Sequence, residues 1–276
     1  SMFIGWLKFA DVNELVKISE DIGWLLDGYH VKLMMMHSPH LCYGAYEDGK
    51  LIGAIMAIEF EKSAMLKYFM VSKDYQKKGI GTRMFETLHG AIKADYETIY
   101  LHANPNMIAF FERYGFKAEM EVGRFINVGK VPPFNFTNAH AKELDGINFE
   151  SVIARIDKET FGENRMSFLL DEMERNSSLK LTLPNAFQHS SIVNARNVYL
   201  GPWQVREGHD DEAEKMMRGL LYFRGLKKVV ADAPMGVSRV VDLYTRYHFQ
   251  NKQRFIHMAY GKSNAVRFEN IYAFSL

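Results

Sequence analysis

Gln76-Lys77-Lys78-Gly79-Ile80-Gly81-Thr82 is the stretch whose residue types and spacing suit it best to chemistry. It follows a mostly apolar run, Ala64 to Val71, and precedes a helical segment, Arg83 to Lys93. Strand, glycine turn and helix start, in that order, bring backbone N–H groups together where the helix dipole already favours negative charge. Gly79 and Gly81 remove side chains so that a pyrophosphate can reach the backbone, and Lys77 and Lys78 add positive charge beside it. No Gly-x-x-x-x-Gly-Lys-Ser/Thr string occurs, and Met84 stands where the third glycine of Gly-x-Gly-x-x-Gly belongs. A phosphorylated cofactor is expected here, against the plainer reading of a glycine turn capping an ordinary helix.

The elements that must position this loop can be read around it. Upstream, Tyr43 to Ala54 reads as a hairpin with an Asp48-Gly49 turn. Downstream come a short apolar strand, Thr98 to Leu101, then Asn104, then a helix running through Phe110 and Phe111 and ended by Gly115-Phe116. Gln-x-x-Gly-x-Gly between strand and helix, with these neighbours in this order, resembles the GNAT superfamily of N-acetyltransferases over residues 3–125. The resemblance implies acetyl-CoA as co-substrate, no metal, and a direct transfer of acetyl to a primary amine in a ternary complex.

By that resemblance the backbone of Phe69 donates to the thioester carbonyl, and Met70 and Val71 line the pantetheine arm. Gln76, Lys77, Lys78, Gly79, Ile80, Gly81 and Thr82 bind the cofactor, with Lys77, Lys78, Gly79, Gly81 and Thr82 holding the pyrophosphate, and Asn104 contacts the pantetheine. Phe111 stands at the cofactor where many members carry a tyrosine that protonates the departing sulfur, and Met65 stands where some carry a glutamate base. Phenylalanine has no proton to give, so a slower enzyme is expected. An alkyl ammonium must lose a proton before it attacks, and Glu59, Glu61 and His102 are the candidate bases. Solvation of a strand face explains the two glutamates as well, and a structural hydrogen bond explains the histidine.

The acceptor is a small-molecule amine on this reading. A protein or peptide amine and a non-catalytic sensor that binds coenzyme A are the alternatives. Asp11 and Glu14 are spaced as a capping box for a helix ending at Asp21. Trp24 and the Met34-Met35-Met36-His37 run that follow suit either an adaptable acceptor pocket or flexible core packing. His37 and His40 lack neighbouring carboxylates or cysteines and make a poor metal pair.

The 276 residues, 47% hydrophobic and 24% charged, suit a globular protein of two domains. No apolar run approaches the roughly eighteen residues of a membrane span. A single cysteine, Cys42, amid apolar neighbours reads as a buried thiol in a cytoplasmic protein. A net charge of +1 gives no sign of nucleic acid, and Arg218, Arg224, Lys227 and Lys228 read as a solvated helix end. A monomer or homodimer is expected.

Residues 126–149, with Val131-Pro-Pro-Phe at their centre, read as a linker. Residues 150–276 repeat the order of helices and strands seen in the first half, ending in a hairpin, His257 to Tyr260 and Asn270 to Ser275. Asp157 to Arg165, Leu200-Gly201-Pro202, Asp232-Ala-Pro234 and His248-Phe249 resemble the degenerate C-terminal domain of tandem-GNAT proteins. Gly201-Pro202-Trp203 follows a strand there, and proline lacks a donor a phosphate loop needs, so one cofactor per chain is expected. Asp157, Arg165 and Asp232 are polar candidates for a cleft, or plain surface pairs. The overall expectation is an α/β (α+β) chain of two GNAT-like domains, each a mixed, mostly antiparallel central sheet flanked by helices.

Overall fold

The computed structural model describes residues 1–24, 26–127, 149–224, 227–262 and 266–275. The chain is mixed α/β, with mostly antiparallel strands flanked by helices, and divides into two compact units. Ser1–His102 with Ala259–Ser263 make the first, and Ala103–Met258 with the C-terminal residues make the second. The boundary expected at 126–149 lies elsewhere. Strand β6 (Lys117–Asn127) pairs with β10 (Lys228–Pro234) and buries Phe125 in the second unit's core. Residues 128–148, most of the expected linker, lie outside the described residues.

In the first unit the strand order is β1 (Met2–Trp6), β2 (Cys42–Glu47), β3 (Lys50–Glu59), β4 (Ser63–Val71), β5 (Thr98–Ala103). Asp48 and Gly49 both take positive φ in a two-residue turn, whose twist matches the flanking strands β2 and β3. Strand β3 is buried without interruption from Leu51 to Ile58, the pattern of a central strand covered on both faces. Helix α1 (Val12–Asp21), α2 (Gly28–His37) and α3 (Ile80–Ile92) cover it. Along α3, Ile80, Met84, Phe85, Leu88 and Ile92 form one buried stripe at helical spacing.

Beyond β5 the unit is closed by residues from far along the chain. Lys262 donates its N–H to the Glu97 carbonyl at 2.8 Å, and Thr98 Oγ1 donates to the Lys262 carbonyl at 2.6 Å. His89 of α3 packs edge-on against Tyr260.

One local expectation changes here. Asp11 makes no capping bond to α1; its carboxylate accepts from the Lys8 N–H and the Tyr46 hydroxyl. Met34 and Met35 are core residues, whereas Met36 is 68% exposed. Cys42 is buried, with its thiol pushed up to about 12 by burial.

The second unit orders its strands β11 (Gln250–Gly261, through Met258), β6, β10, β9 (Asn197–Val205), β8 (Ala186–Val193), β7 (Leu179–Leu183). Helices α4 (Ile108–Arg113), α5 (Phe149–Phe161), α6 (Met166–Glu172), α7 (Asp210–Arg224) and α8 (Ser238–Arg246) accompany them. Trp203, Tyr244 and Tyr272 centre its core, and Tyr244 donates its hydroxyl to the Tyr272 carbonyl. The expected terminal hairpin does not form: β12 (Ile271–Ala273) pairs with β9. A Cβ on Gly201 would lie 2.1 Å from the Phe274 carbonyl oxygen, so only glycine admits that crossing.

Asp157 and Asp232 are not surface residues. Asp157 holds the Arg165 guanidinium through two hydrogen bonds of 2.7 and 3.0 Å and is buried, while Asp232 holds Arg124 at 2.8 and 2.9 Å. Arg224 is no solvated helix end either, since it donates to the carbonyls of Ser177 and Ser190. Among the described residues no helix is long and apolar enough to cross a membrane, and no group of three or more His, Cys, Asp or Glu gathers to hold a metal.

Candidate active site

Strand β4 changes character halfway along. Ser63–Met65 pairs in parallel with Thr98–Tyr100 of β5, and among the described residues that pairing goes no further. On the other side, Ala54 of β3 faces Met70 while Met56 faces Lys67, so β4 carries one extra residue there. Tyr68 lies within that bulge with φ of +53°. A bulge ends regular pairing and re-aims the side chains around it. Phe69, Met70 and Val71 therefore follow the point where β4 and β5 stop pairing. Phe69 stacks on Phe85 of α3 at 6.1 Å and the Met70 side chain is buried, so both offer main chain rather than side chain to a ligand.

The loop that follows is shaped by its own bonds. Ser72 donates its N–H to the Ile52 carbonyl at 2.7 Å, tying the loop to β3. Gln76 Nε2 donates to the Val71 carbonyl at 3.0 Å, so this exposed glutamine braces the loop. Lys77 and Gly79 both adopt left-handed φ, +62° and +81°, and Gly79 becomes the N-cap of α3. The first helical bond is donated by Arg83 to the Gly79 carbonyl. Among the described residues, the amides of Lys77, Lys78, Gly79, Ile80, Gly81 and Thr82 donate no well-formed hydrogen bond to another protein group. Helix starts leave such donors open, and here the preceding turn adds to them.

The glycines differ in their reason for being glycine. A Cβ on Gly79 would meet nothing within 4 Å, so its φ alone demands glycine. A Cβ on Gly81 would sit 3.5–3.6 Å from Phe69 and Val71, ordinary contact that the fold tolerates. Nothing inside the protein requires Gly81 to be bare, and the missing side chain leaves the helix start open to an anion. Open amides, bare glycines and the exposed Lys77 and Lys78 fit a diphosphate.

The expected bases separate. Glu59 pairs across the sheet with Ala64, five residues before Phe69, or about 16 Å along a strand. Its carboxylate accepts a hydrogen bond from the Tyr96 hydroxyl and lies 3.4 Å from His40 Nε2. Burial, then Glu59, raises the Tyr96 hydroxyl far above its usual range. Glu61 is exposed in the β3–β4 turn, farther still from Phe69. Neither glutamate is placed to take a proton beside Phe69. His102 is different: half-buried on β5, it lies two residues past Tyr100, where pairing with β4 has ended.

Asn104 and Phe111 belong to the second unit. Asn104 caps a short turn with extended backbone and makes no side-chain capping bond. Phe111 is 5% exposed and packs against Phe110 and Phe116 as a core residue.

One pair went unread in the sequence. The Tyr68 hydroxyl lies 2.7 Å from Nδ1 of His30, a buried residue of α2. Thirty-eight positions separate the two, and nothing local to either residue announces the contact.

A strand broken by a bulge, ending in a loop of open amides at a helix start, offers donors to an anionic group. Solved structures share the fold across the chain. A candidate acetyltransferase of Pyrococcus horikoshii is similar over 100% of this chain and 94% of its own, with a TM-score of 0.79 at 19% identity. A GCN5-related N-acetyltransferase of Sphaerobacter thermophilus follows at 0.65 and 13%, covering 99% and 98%. A tandem GNAT protein from the clavulanic acid biosynthesis pathway matches 96% of this chain and 99% of its own, at 0.62 and 12%. An uncharacterised protein of Caenorhabditis elegans is 25% identical over 161 residues, 53% of this chain and 50% of the relative. The chain thus matches about half the length of that curated relative.

Residues 29–130 match the model of the acetyltransferase (GNAT) domain. Those residues carry a GNAT acetyltransferase domain.

Proposed function

We propose that this chain transfers the acetyl group of acetyl-CoA directly to a primary amine of a small molecule, with both substrates bound together. The observation that carries this reading is the set of undonated amides from Lys77 to Thr82, set after a strand opened by the Tyr68 bulge. Acetyl-CoA, when bound, supplies the activated acyl group. Lys77, Lys78, Gly79, Ile80, Gly81 and Thr82 would hold its pyrophosphate through main-chain donors. The Phe69 backbone would polarise the acyl carbonyl, a contribution typically worth about 3 kcal/mol of barrier. Residues 150–276 read as a degenerate acetyltransferase-like domain: Gly201-Pro202-Trp203 lies within β9 and does not form a glycine loop at a helix start.

Calorimetry with coenzyme A is the test of the binding half, with micromolar uptake expected and its absence overturning the reading. Mass detection of acetylated product across a panel of small amines tests the transfer. A second reading, a sensor that binds coenzyme A without turnover, is favoured by Phe111, a buried phenylalanine with no proton to give. Uptake of coenzyme A without any acetylated amine would select it.

A further inference from the structure

Resting on the acetyl-transfer reading, we infer that Tyr68 and His30 take the proton from the acceptor amine, with Tyr68 as the catalytic residue and His30 as the positioned acceptor behind it. Tyr68 immediately precedes Phe69, the residue assigned to the acyl carbonyl, and stands where β4 has stopped pairing with β5. Its left-handed φ is costly for a residue with a ring, about 1–3 kcal/mol, and persists only where the surroundings hold it. Here the holding contact is polar: the hydroxyl reaches Nδ1 of His30 at 2.7 Å, and the two rings meet edge-on. His30 is 5% exposed, so its Nδ1 is reached through the Tyr68 hydroxyl, while Tyr68 itself is half-buried. A strained tyrosine at the bulge, backed by a buried imidazole, is a two-step path for a proton.

An N–H bond of the acceptor ammonium breaks and its proton passes to Tyr68 Oη, as the tyrosine's own proton passes to His30 Nδ1; after the product leaves, the imidazolium returns that proton through Tyr68 Oη to water. The freed nitrogen lone pair attacks the acyl carbon. The C–N bond forms as the C–S bond breaks, the sulfur keeps the electron pair, and it accepts the second proton that nitrogen sheds.

The assignment also replaces the two glutamates. Glu59 is engaged by Tyr96 and His40 at the far end of β3, and Glu61 lies beyond it. His102 is the competing base, and the experiment includes it.

Tyr68→Phe, His30→Gln and His102→Ala are compared with the wild type on two candidate acceptors, 2-phenylethylamine, a cation at pH 7, and an arylamine, neutral at that pH. The first two variants should lose about 100-fold in kcat on the alkylamine and about threefold or less on the arylamine, as expected when only proton removal fails. Their affinity for coenzyme A by calorimetry should stay at the wild-type value, which also reports that they fold. In the ligand-free protein, nitrogen-15 resonances should show His30 Nδ1 unprotonated and accepting a hydrogen bond that Tyr68→Phe abolishes.

Equal losses on both acceptors, a protonated Nδ1, or a deficit confined to His102→Ala would overturn the inference and leave acetyl transfer standing. A wild type that binds coenzyme A yet acetylates no amine would remove both.

Discussion

Gly79 and Gly81 sit two residues apart and answer to different constraints, so their substitutions should part company. Gly79→Ala forces a Cβ into the left-handed region, a cost of about 1–2 kcal/mol. Its melting temperature should fall by several degrees. Gly81→Ala meets only ordinary contacts, so the melting temperature should hold while affinity for coenzyme A drops about tenfold, or 1.4 kcal/mol. Differential scanning fluorimetry and calorimetry read the two effects separately. Glu59→Gln offers a second contrast. A base that removes the acceptor proton is worth about 100-fold or more, yet the position of Glu59 calls for a kcat close to wild type. A hundredfold loss in steady-state assays would return Glu59 to the mechanism. These single-residue features were partly visible in the chain: Gly79, Gly81 and the lysines announce themselves by type and spacing. Tyr68 does not, because a bulge is set by the register of two strands and not by the residue that occupies it.

Elements in the second unit are fastened by buried polar pairs. Asp157 on α5 receives the Arg165 guanidinium at the head of α6, and Gln204 of β9 donates to the same carboxylate. Asp157→Asn would leave Arg165 charged and buried, a loss of about 3 kcal/mol that urea unfolding should detect. His189 on β8 works by a different sign. Its Nδ1 donates to the Gly201 carbonyl and its Nε2 accepts from the Ser178 hydroxyl, a neutral ring that burial holds at a pKa of about 4. The unfolded chain takes up a proton near pH 6.5, whereas the folded ring resists until about pH 4. Stability from this group is therefore complete above about pH 6.5 and declines as pH falls toward 4, by about 3 kcal/mol in all. Unfolding free energies measured at pH 7.5 and 5 should differ by about 2 kcal/mol from this site, and His189→Gln should flatten that difference.

The strand containing His189 also marks where reading along the chain fails. A strand over Ser191 to Ala195 is expected from its apolar residues, but β8 covers Ala186–Val193, and Asn194 and Ala195 make a left-handed turn into β9. Helices depend less on distant partners: the 3.6-residue stripe of α3 is set by its own residues. The expected terminal hairpin does not form because β12 lies against β9, a partner some seventy positions away that no local pattern names.

At the scale of the molecule, sequence order and compact unit do not coincide. The first unit takes its final residues from Ala259–Ser263, and the second begins at Ala103. A Cβ on Gly261 would fall 2.5 Å from the Glu97 carbonyl oxygen, and its φ of +92° already requires glycine. Gly261→Val should therefore destabilise the unit that carries the Lys77–Thr82 loop and weaken coenzyme A binding, although it lies about 180 residues from that loop in sequence. Thermal unfolding followed with and without coenzyme A would show it. A fragment ending at residue 127 should melt lower than the intact chain, or without a cooperative transition, because it lacks the residues that bond Glu97 and Thr98.

That arrangement has a consequence for biosynthesis. Ribosomes deliver the phosphate loop early, but the carbonyl of Glu97 and the hydroxyl of Thr98 must wait for Lys262 before they find their native bonds. At about 5–20 residues per second, that leaves a β5 edge uncovered for roughly 8–30 seconds of translation. During that interval the nascent chain carries an open strand edge of the kind that invites aggregation or holding by a chaperone.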